Sequence, residues 1–273
     1  MVLKALARWL HLATGGVPSI PDELWQLTLA RYPFLARLSP AERARLRLLS
    51  ARFLAQKEFT GVHGLEITDD MALAVAAQAC LPLLHLGPAD EPQQALHWYD
   101  DFVGIVMHPA SAVARRQTVD EAGVVHHYEE VLSGEAMHHG PVMLSWPAVQ
   151  QAGALGEAGY SVVIHEFMHK MDLQDGHADG LPPLPRGFMG ARTPREAAEY
   201  WQRTWEPAYQ RLREQVTLAE RFGAPEPWLD PYAASAPEEF FAVACEAHFV
   251  QPERFAQEYP ELSAALREFF KQA

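Results

Sequence analysis

The sequence predicts an α+β fold that is mainly helical and contains a small mixed or antiparallel sheet. Apolar residues recur at spacings of three and four between Pro21 and Lys57 and again after Pro194, as in amphipathic helices. Around residue 100 the period changes, because DFVGIVMHP, GVVHHYEEVLSG and GPVMLSWPA are short runs rich in β-forming residues. Residues 160–173 return to a helical pattern, and a loop rich in Gly, Pro and Asp follows up to about Pro194.

Local signals mark the ends of several elements. Ser39 and Glu42 have the spacing of a capping box around Pro40, which predicts a helix start there. GLEITDD predicts a brief strand and then a cap, at Asp69 or Asp70, for a strongly apolar helix through ALAVAAQACLPLL. The opening residues, MVLKALARWLHLATGG, predict a short amphipathic helix and not a signal peptide.

We expect one domain with two lobes. The loop at 174–193 is the best candidate for a flexible join, but the chemistry described below needs residues from both sides of it. The chain is therefore treated as a single domain, 1–273. Its N-terminal helical lobe covers about 20–95, the sheet and active-site helix cover about 96–176, and the C-terminal helical lobe covers about 194–273.

The composition limits the kinds of partner and compartment. The formal net charge of -13 would repel nucleic acid and anionic membranes, so neither is expected as a partner. No stretch approaches the roughly 20 apolar residues that a membrane span needs. The two cysteines, Cys80 and Cys245, lie in apolar helical patterns and indicate no disulfide framework, so we expect a reducing, cytoplasmic setting.

The segment SVVIHEFMHKMDLQDG, residues 161–176, has the pattern of a metal site. On a helix, His165 and His169 lie one turn apart on the same face, so both imidazoles can reach one tetrahedral metal ion. Glu166 points about 100° round the helix, where it can take a proton from a water at the metal without being a ligand. The apolar residues around them support a helix that ends at Asp175-Gly176. The alternative is a chance motif whose histidines are ordinary core or surface residues.

A catalytic zinc site needs a third protein ligand and one position left for water. The pattern that places a third histidine shortly after the second fails here, because aspartates occupy its positions. DPYAASAPEEFFAVACEAHF offers the carboxylates of Glu238, Glu239 and Glu246 instead. Ser235 and Glu238 are spaced as a capping box, which makes Glu239 the freer carboxylate. Glu246 shares its helical face and is an alternative ligand or a group behind the ligands, and all three acids could also be solvated.

Longer segments of the chain carry a family resemblance. They are GLEITDDMALAVAAQACLPLL, GVVHHYEEVLSGEAMHHGPVMLSW, VIHEFMHKMD and DPYAASAPEEFFAV, within roughly residues 45–260. These segments resemble the Mlc titration factor A family of cytosolic zinc-dependent peptidases, which is distantly similar to the catalytic domain of anthrax lethal factor. The resemblance implies a zincin-like metallopeptidase fold with one Zn²⁺ per chain.

The resemblance also implies site residues and an activity. The implied zinc ligands are His165, His169 and Glu239, with Glu166 as general base. Tyr232, in the YAA segment, is the implied catalytic phenol, which can donate a hydrogen bond to an oxyanion. The implied activity is hydrolysis of short or N-terminal peptides, as by an aminopeptidase, with an extended substrate lying along an edge formed by the VMLSW strand.

Some roles and functions remain open. Asp172, three residues after His169, can accept the second ring N–H of a ligand histidine, cap a backbone group or stay in solvent. The rival function implied by the resemblance is a binding protein that sequesters the repressor Mlc without hydrolysis and has a structural zinc site. A helical protein without a metal is the third alternative. Paired histidines at 126–127 and 138–139 point to opposite faces of strands, so we interpret them as surface residues and not as a second metal site.

Overall fold

The computed structural model describes residues 19–110, 112–119, 125–132, 134–136, 140–154 and 159–272, with side chains described in these ranges except at 112–136 and 153–154. The amphipathic helix predicted for the opening residues lies outside this part of the chain, as do the side chains of the paired histidines at 126–127 and 138–139. Among the described residues, no helix combines the length and the apolar character needed to cross a membrane.

Helices form the N-terminal part of the described chain. They are α1 (Asp22–Arg31), α2 (Pro33–Ala36), α3 (Pro40–Gln56) and α4 (Asp69–Cys80), and a 3₁₀ segment follows at Pro92–Tyr99. The capping box predicted at the start of α3 is confirmed, because Ser39 and Glu42 each accept a hydrogen bond from the backbone N–H of the other.

The start of α4 differs from the prediction. Thr68 is the cap, since its hydroxyl accepts a hydrogen bond from the N–H of Met71. Asp69 and Asp70 lie in the first turn, where negative charge is stabilised by the helix dipole. The strand predicted within GLEITDD is also wrong, because β1 is the preceding EFTG segment (Glu58–Gly61) and a turn follows it.

The chain also forms a four-stranded mixed sheet. In spatial order its strands are β1, β2 (Gly104–His108), β6 (Val142–Ser145) and β5 (Gly134–Ala136). The strands β1, β2 and β6 run parallel, and β5 runs antiparallel to β6. The intervening strands β3 (Ala112–Val119) and β4 (Val125–Leu132) form a separate antiparallel hairpin. Because the chain passes through this hairpin between β2 and β6, it can enter β6 at the same end of the sheet as β2. The two strands are therefore parallel, and not the antiparallel neighbours that their proximity in sequence suggests.

The rest of the described chain is again helical. Its helices are α5 (Trp146–Ala154), α6 (Val162–Asp172), α7 (Pro194–Phe222), α8 (Pro237–Val250), α9 (Pro252–Glu258) and α10 (Pro260–Phe269), with 3₁₀ turns at Leu173–Asp175, Phe188–Gly190 and Pro231–Ala234. The predicted stop after α6 is confirmed at Gly176, which has a φ of 94° that suits glycine. The predicted α+β class is confirmed.

Aromatic clusters fix the two helices that matter most for the site. On α6, Phe167 is fully buried, and its ring centroid lies 4.8 Å from that of Tyr99 and 5.7 Å from that of Phe53. On α8, Phe240 and Phe241 pack edge-on against Trp205, at 5.6 and 5.7 Å. These rings pack against α3, the 3₁₀ segment at Pro92–Tyr99 and α7, and α6 and α8 also contact each other.

The loop after α6 is anchored at Gly180. Its N–H donates to Asp172 Oδ2 at 2.9 Å, and its carbonyl oxygen accepts from Trp201 Nε1 at 2.9 Å. Gly180 has a φ of 77°, and a Cβ there would lie 2.6 Å from the carbonyl oxygen of Pro237. Only glycine fits this approach, so a single residue connects the end of α6 with α7 and the start of α8.

Candidate metal centre

Helix α6 carries the two histidines on one face. The helix begins at Ser161, whose hydroxyl accepts a hydrogen bond from the N–H of Ile164 at 3.2 Å. The next residues are apolar and buried, which commits the opposite face of the helix to the core. One turn apart, the rings of His165 and His169 have centroids 4.8 Å apart and side chains that are 12% and 13% exposed.

Glu239, in the first turn of α8, completes a compact group of three donor atoms. Its Oε2 lies 3.0 Å from Nε2 of His165 and 3.3 Å from Nε2 of His169. The two Nε2 atoms are 3.1 Å apart. Helices α6 and α8 pack against each other, and this contact is what joins a motif at 165–169 to a carboxylate some seventy residues later.

The size of this triangle fits a metal ion. Donors at ~2.0–2.1 Å from zinc in a tetrahedral site are roughly 3.3–3.4 Å from one another. The observed separations of 3.0–3.3 Å are close to that value, with only a small expansion needed. Two imidazole nitrogens and one carboxylate oxygen are also the donor set that zinc accepts in catalytic sites. In the described part of the chain, no other group of three such side chains converges in this way.

The charge balance of the group also favours a cation. Burial opposes protonation of His165, yet its hydrogen bonds with Glu239 and Glu246 raise its pKa well above 6.5. Burial of Glu239 would raise its pKa, but hydrogen bonds from His165 and His169 outweigh this effect and lower the pKa below its usual value. Both directions mean that the pocket attracts positive charge, which a proton or a metal ion can supply.

Glu246 holds His165 from behind. Its Oε1 lies 2.7 Å from Nδ1 of His165, and its Oε2 accepts a hydrogen bond from the N–H of Ser161 at 2.6 Å. Because an ionised carboxylate only accepts, Nδ1 of His165 carries a proton that it donates to Glu246. With Nδ1 protonated, loss of the second ring proton to a metal ion would leave the Nε2 lone pair as the ligand. Of the three alternatives left open for Glu246, a ligand, a group behind the ligands or a solvated acid, its bonds to Nδ1 of His165 and to the N–H of Ser161 fit the second. Sequence reasoning missed Ser161, although a serine directly before an apolar helix is a capping signal.

Glu166 is buried beside the triangle. It is 4% exposed, and burial raises its pKa to about 7. No hydrogen bond from a described residue engages its carboxylate, so its oxygens can face a water or a substrate. A carboxylate with a pKa near neutrality can both accept and return a proton.

Tyr232 lies beside His165 and is partly exposed. It belongs to the 3₁₀ turn before α8, where the Asp230 carboxylate accepts a hydrogen bond from its N–H at 2.9 Å. Its ring centroid is 6.2 Å from that of His165, and the residue is 42% exposed. The side chain therefore borders both the triangle and solvent.

The start of α8 differs from the sequence interpretation, and Asp172 takes one of the roles left open for it. The cap of α8 is Ala236, which has no side-chain bond, and Ser235 instead donates its hydroxyl to the carbonyl oxygen of Tyr232, so the capping box with Glu238 is wrong. A proline after the cap fixes the helix start without that box. Asp172 accepts from the Gly180 N–H and forms no hydrogen bond with a described histidine, and burial raises its pKa to about 7.

The VMLSW strand is not an edge of the sheet. It forms β6, which pairs with β2 on one side and with β5 on the other. Within the described chain the edge of the sheet on this side is β5, which also packs against α6. An extended peptide could therefore pair with β5 but not with β6.

The chain is similar to known proteins over most of its length. The family model for glucose-regulated metallo-peptidase M90 matches residues 8–271. Mlc titration factor A of Klebsiella pneumoniae (strain 342) is 34% identical over 249 residues, which are 91% of this chain and 85% of that protein. Mlc titration factor A of Salmonella arizonae is 33% identical over 253 residues, 92% of this chain and 91% of that protein. An α+β zincin-like fold is consistent with this family. The chain belongs to the M90 family of glucose-regulated metallo-peptidases.

Proposed function

We propose that this protein is a zinc-dependent metallopeptidase whose ion is held by His165, His169 and Glu239. The observation that supports it most directly is the convergence of two Nε2 atoms and one carboxylate oxygen within 3.0–3.3 Å. The ring of Tyr232 lies beside that of His165, and Glu166 lies buried next to the triangle. When bound, zinc would supply Lewis acidity to water and to the carbonyl group of the substrate.

Glu166 moves the proton in this proposal. Its carboxylate accepts a proton from the attacking water as the new carbon–oxygen bond forms. It then delivers that proton to the amine nitrogen as the carbon–nitrogen bond breaks, so the residue ends the cycle ionised again. The pKa of about 7 that burial gives Glu166 suits both directions of transfer.

Tyr232 stabilises the negative charge that develops on the carbonyl oxygen. This role is supported by the proximity of its ring to His165 and by its 42% exposure, which leaves the residue accessible to a bound peptide. A hydrogen bond aimed at a developing oxyanion acts mainly in the transition state. The finer specificity, cleavage of short or N-terminal peptides as by an aminopeptidase, rests on the family resemblance, and backbone pairing with the outer edge of β5 would hold such a peptide.

The test compares zinc content and peptide hydrolysis in the wild type, Glu166→Gln and His165→Ala. Glu166→Gln should keep its zinc and lose turnover, because the residue is a base and not a ligand. His165→Ala should lose both. A wild type that is fully loaded with zinc and cleaves no peptide from a broad library, free N-termini included, would refute hydrolysis.

A second candidate function is supported by the name of the relatives. They are called Mlc titration factor A, which indicates that they titrate Mlc. We propose that this chain also binds a Mlc-like repressor, in the cytoplasm, through contacts that need no hydrolysis. Co-purification with such a repressor should persist in Glu166→Gln. Binding that requires an intact Glu166 would count against an independent docking role.

A further inference from the structure

A buried polar chain reaches the candidate metal centre from α4. This helix reads DDMALAVAAQAC, and Gln78 is its one polar side chain in the fully buried stretch from Leu73 to Cys80. Burying an amide costs free energy unless its donors and acceptor are paired. The partners of Gln78 therefore indicate what the residue does.

The hydrogen bonds of Gln78 have a fixed direction. Its Nε2 donates to the backbone carbonyl oxygen of Ala74 at 3.1 Å, and that oxygen can only accept. The amide oxygen must then face the hydroxyl of Ser161, 2.9 Å away, and accept its proton. With its proton committed to Gln78, the Ser161 oxygen is left to accept from the N–H of Ile164.

Ser161 continues this series of hydrogen bonds to His165. The N–H of Ser161 donates to one oxygen of Glu246 at 2.6 Å, and Nδ1 of His165 donates to the other at 2.7 Å. Gln78, Ser161 and Glu246 are 0%, 0% and 3% exposed, so no bulk water competes along the way. A single sequence of directed bonds thus joins α4 and α8 at the first turn of α6.

We propose that Gln78 and Ser161 are positioning residues for the ligand His165, a role that rests on the proposed zinc function. Gln78 aligns the Ser161 hydroxyl, Ser161 holds Glu246 through its N–H, and Glu246 fixes the ring and tautomer of His165. Neither Gln78 nor Ser161 touches the substrate. Outer partners of this kind set the basicity and orientation of a metal-bound imidazole.

The experiment uses Gln78→Met, which keeps the length and approximate volume of the side chain but removes the amide. The measurement is zinc affinity by competition with a chromophoric chelator, together with the urea midpoint of the zinc-free protein. We expect a roughly tenfold loss of zinc affinity, at the lower end of what outer partners contribute. The matched control is Ser50→Ala, which removes a fully buried hydroxyl that donates to the Leu46 carbonyl oxygen of its own helix, α3, and also bonds to the Cys80 thiol. This hydroxyl is not part of the chain of hydrogen bonds from Gln78 to His165.

A second variant pair and a spectroscopic readout separate positioning from stability. Ser161→Ala should weaken zinc binding, and Ser161→Thr, which keeps the hydroxyl, should restore most of it. Histidine ring ¹⁵N NMR of the zinc-loaded protein should report a protonated Nδ1 on His165 in the wild type and a broadened or shifted signal in Gln78→Met.

The outcomes are distinguishable. Wild-type zinc affinity and an unchanged His165 signal in Gln78→Met would overturn the positioning role alone. Equal zinc affinity in the wild type and His165→Ala would overturn the proposed metal centre, and the positioning role with it. If Gln78→Met weakens zinc affinity no more than the Ser50→Ala control does, the positioning role is also overturned.

Discussion

Replacing Glu246 with glutamine tests how His165 is held. Glu246 accepts two hydrogen bonds with its two oxygens, at 2.7 Å from His165 and at 2.6 Å from the N–H of Ser161. An amide has one oxygen, so its NH₂ group must face one of these two donors. Facing His165, it favours the tautomer whose Nε2 carries the proton and cannot bind a metal. Facing Ser161, it leaves a buried backbone donor unpaired.

The magnitude follows from these two alternatives. A buried donor without a partner costs about 1–3 kcal/mol, and a hydrogen bond to a charged group contributes about 1.5–3 kcal/mol. Since about 1.4 kcal/mol corresponds to a factor of ten, we expect Glu246→Gln to weaken zinc binding roughly 10-fold to 100-fold. Competition with a chromophoric chelator measures this directly.

The control for this variant is Glu238→Gln. It makes the same change of charge on the same helix, at a half-exposed side chain that has no described hydrogen bond to the centre. Its zinc affinity should change less than about twofold, as for other exposed charges. If Glu246→Gln and Glu238→Gln bind zinc equally well, the proposed role of Glu246 in fixing the tautomer is wrong.

Three further predictions concern other parts of the molecule. Tyr232→Phe should lower kcat by roughly 10²–10³ with little change in KM or zinc content, because an oxyanion donor acts in the transition state; steady-state kinetics with metal analysis check this. Gly180→Ala should lower the free energy of unfolding, measured in urea, by at least about 2 kcal/mol, since it adds a backbone clash to the strain of a positive φ. Gly187 has a φ of 80° with open space around it, so the control Gly187→Ala should lower this free energy by only about 1 kcal/mol. Burial lowers the pKa of His248 to about 4. Between this value and the unfolded pKa of about 6.5, the unfolded chain binds the proton and the folded chain does not, so the free energy of unfolding decreases as the pH is lowered. Between pH 7 and 5, the wild type should therefore lose about 2 kcal/mol more than His248→Gln in urea titrations, and equal losses would contradict a buried neutral His248.

The metal motif was readable from sequence because it depends on local geometry. His165 and His169 are one helical turn apart whatever the tertiary fold, and the apolar residues around them predict the helix that the structure contains. The capping box of α3 and the stop at Gly176 are local in the same sense.

Features that depend on distant contacts were harder to predict. The strands β2 and β6 pair in parallel. Their relative direction depends on the path of the hairpin between them and not on the residues of either strand. Glu239 is the carboxylate that lies beside Nε2 of both histidines, as expected of the freer carboxylate, but the capping argument for it used Ser235, which is not the cap. The role of Gln78 could not be derived from sequence, since a lone amide in an apolar helix has no identifiable partner until α6 packs against α4.

The most direct test of the central claim is X-ray absorption spectroscopy at the zinc edge of the purified protein, compared with that of Glu239→Ala. We expect one zinc per chain with two imidazole nitrogens and a carboxylate oxygen in its shell. In the variant we expect loss of the carboxylate contribution together with weaker zinc binding. A zinc shell without imidazole, or one that is identical in the wild type and Glu239→Ala, would contradict the central claim.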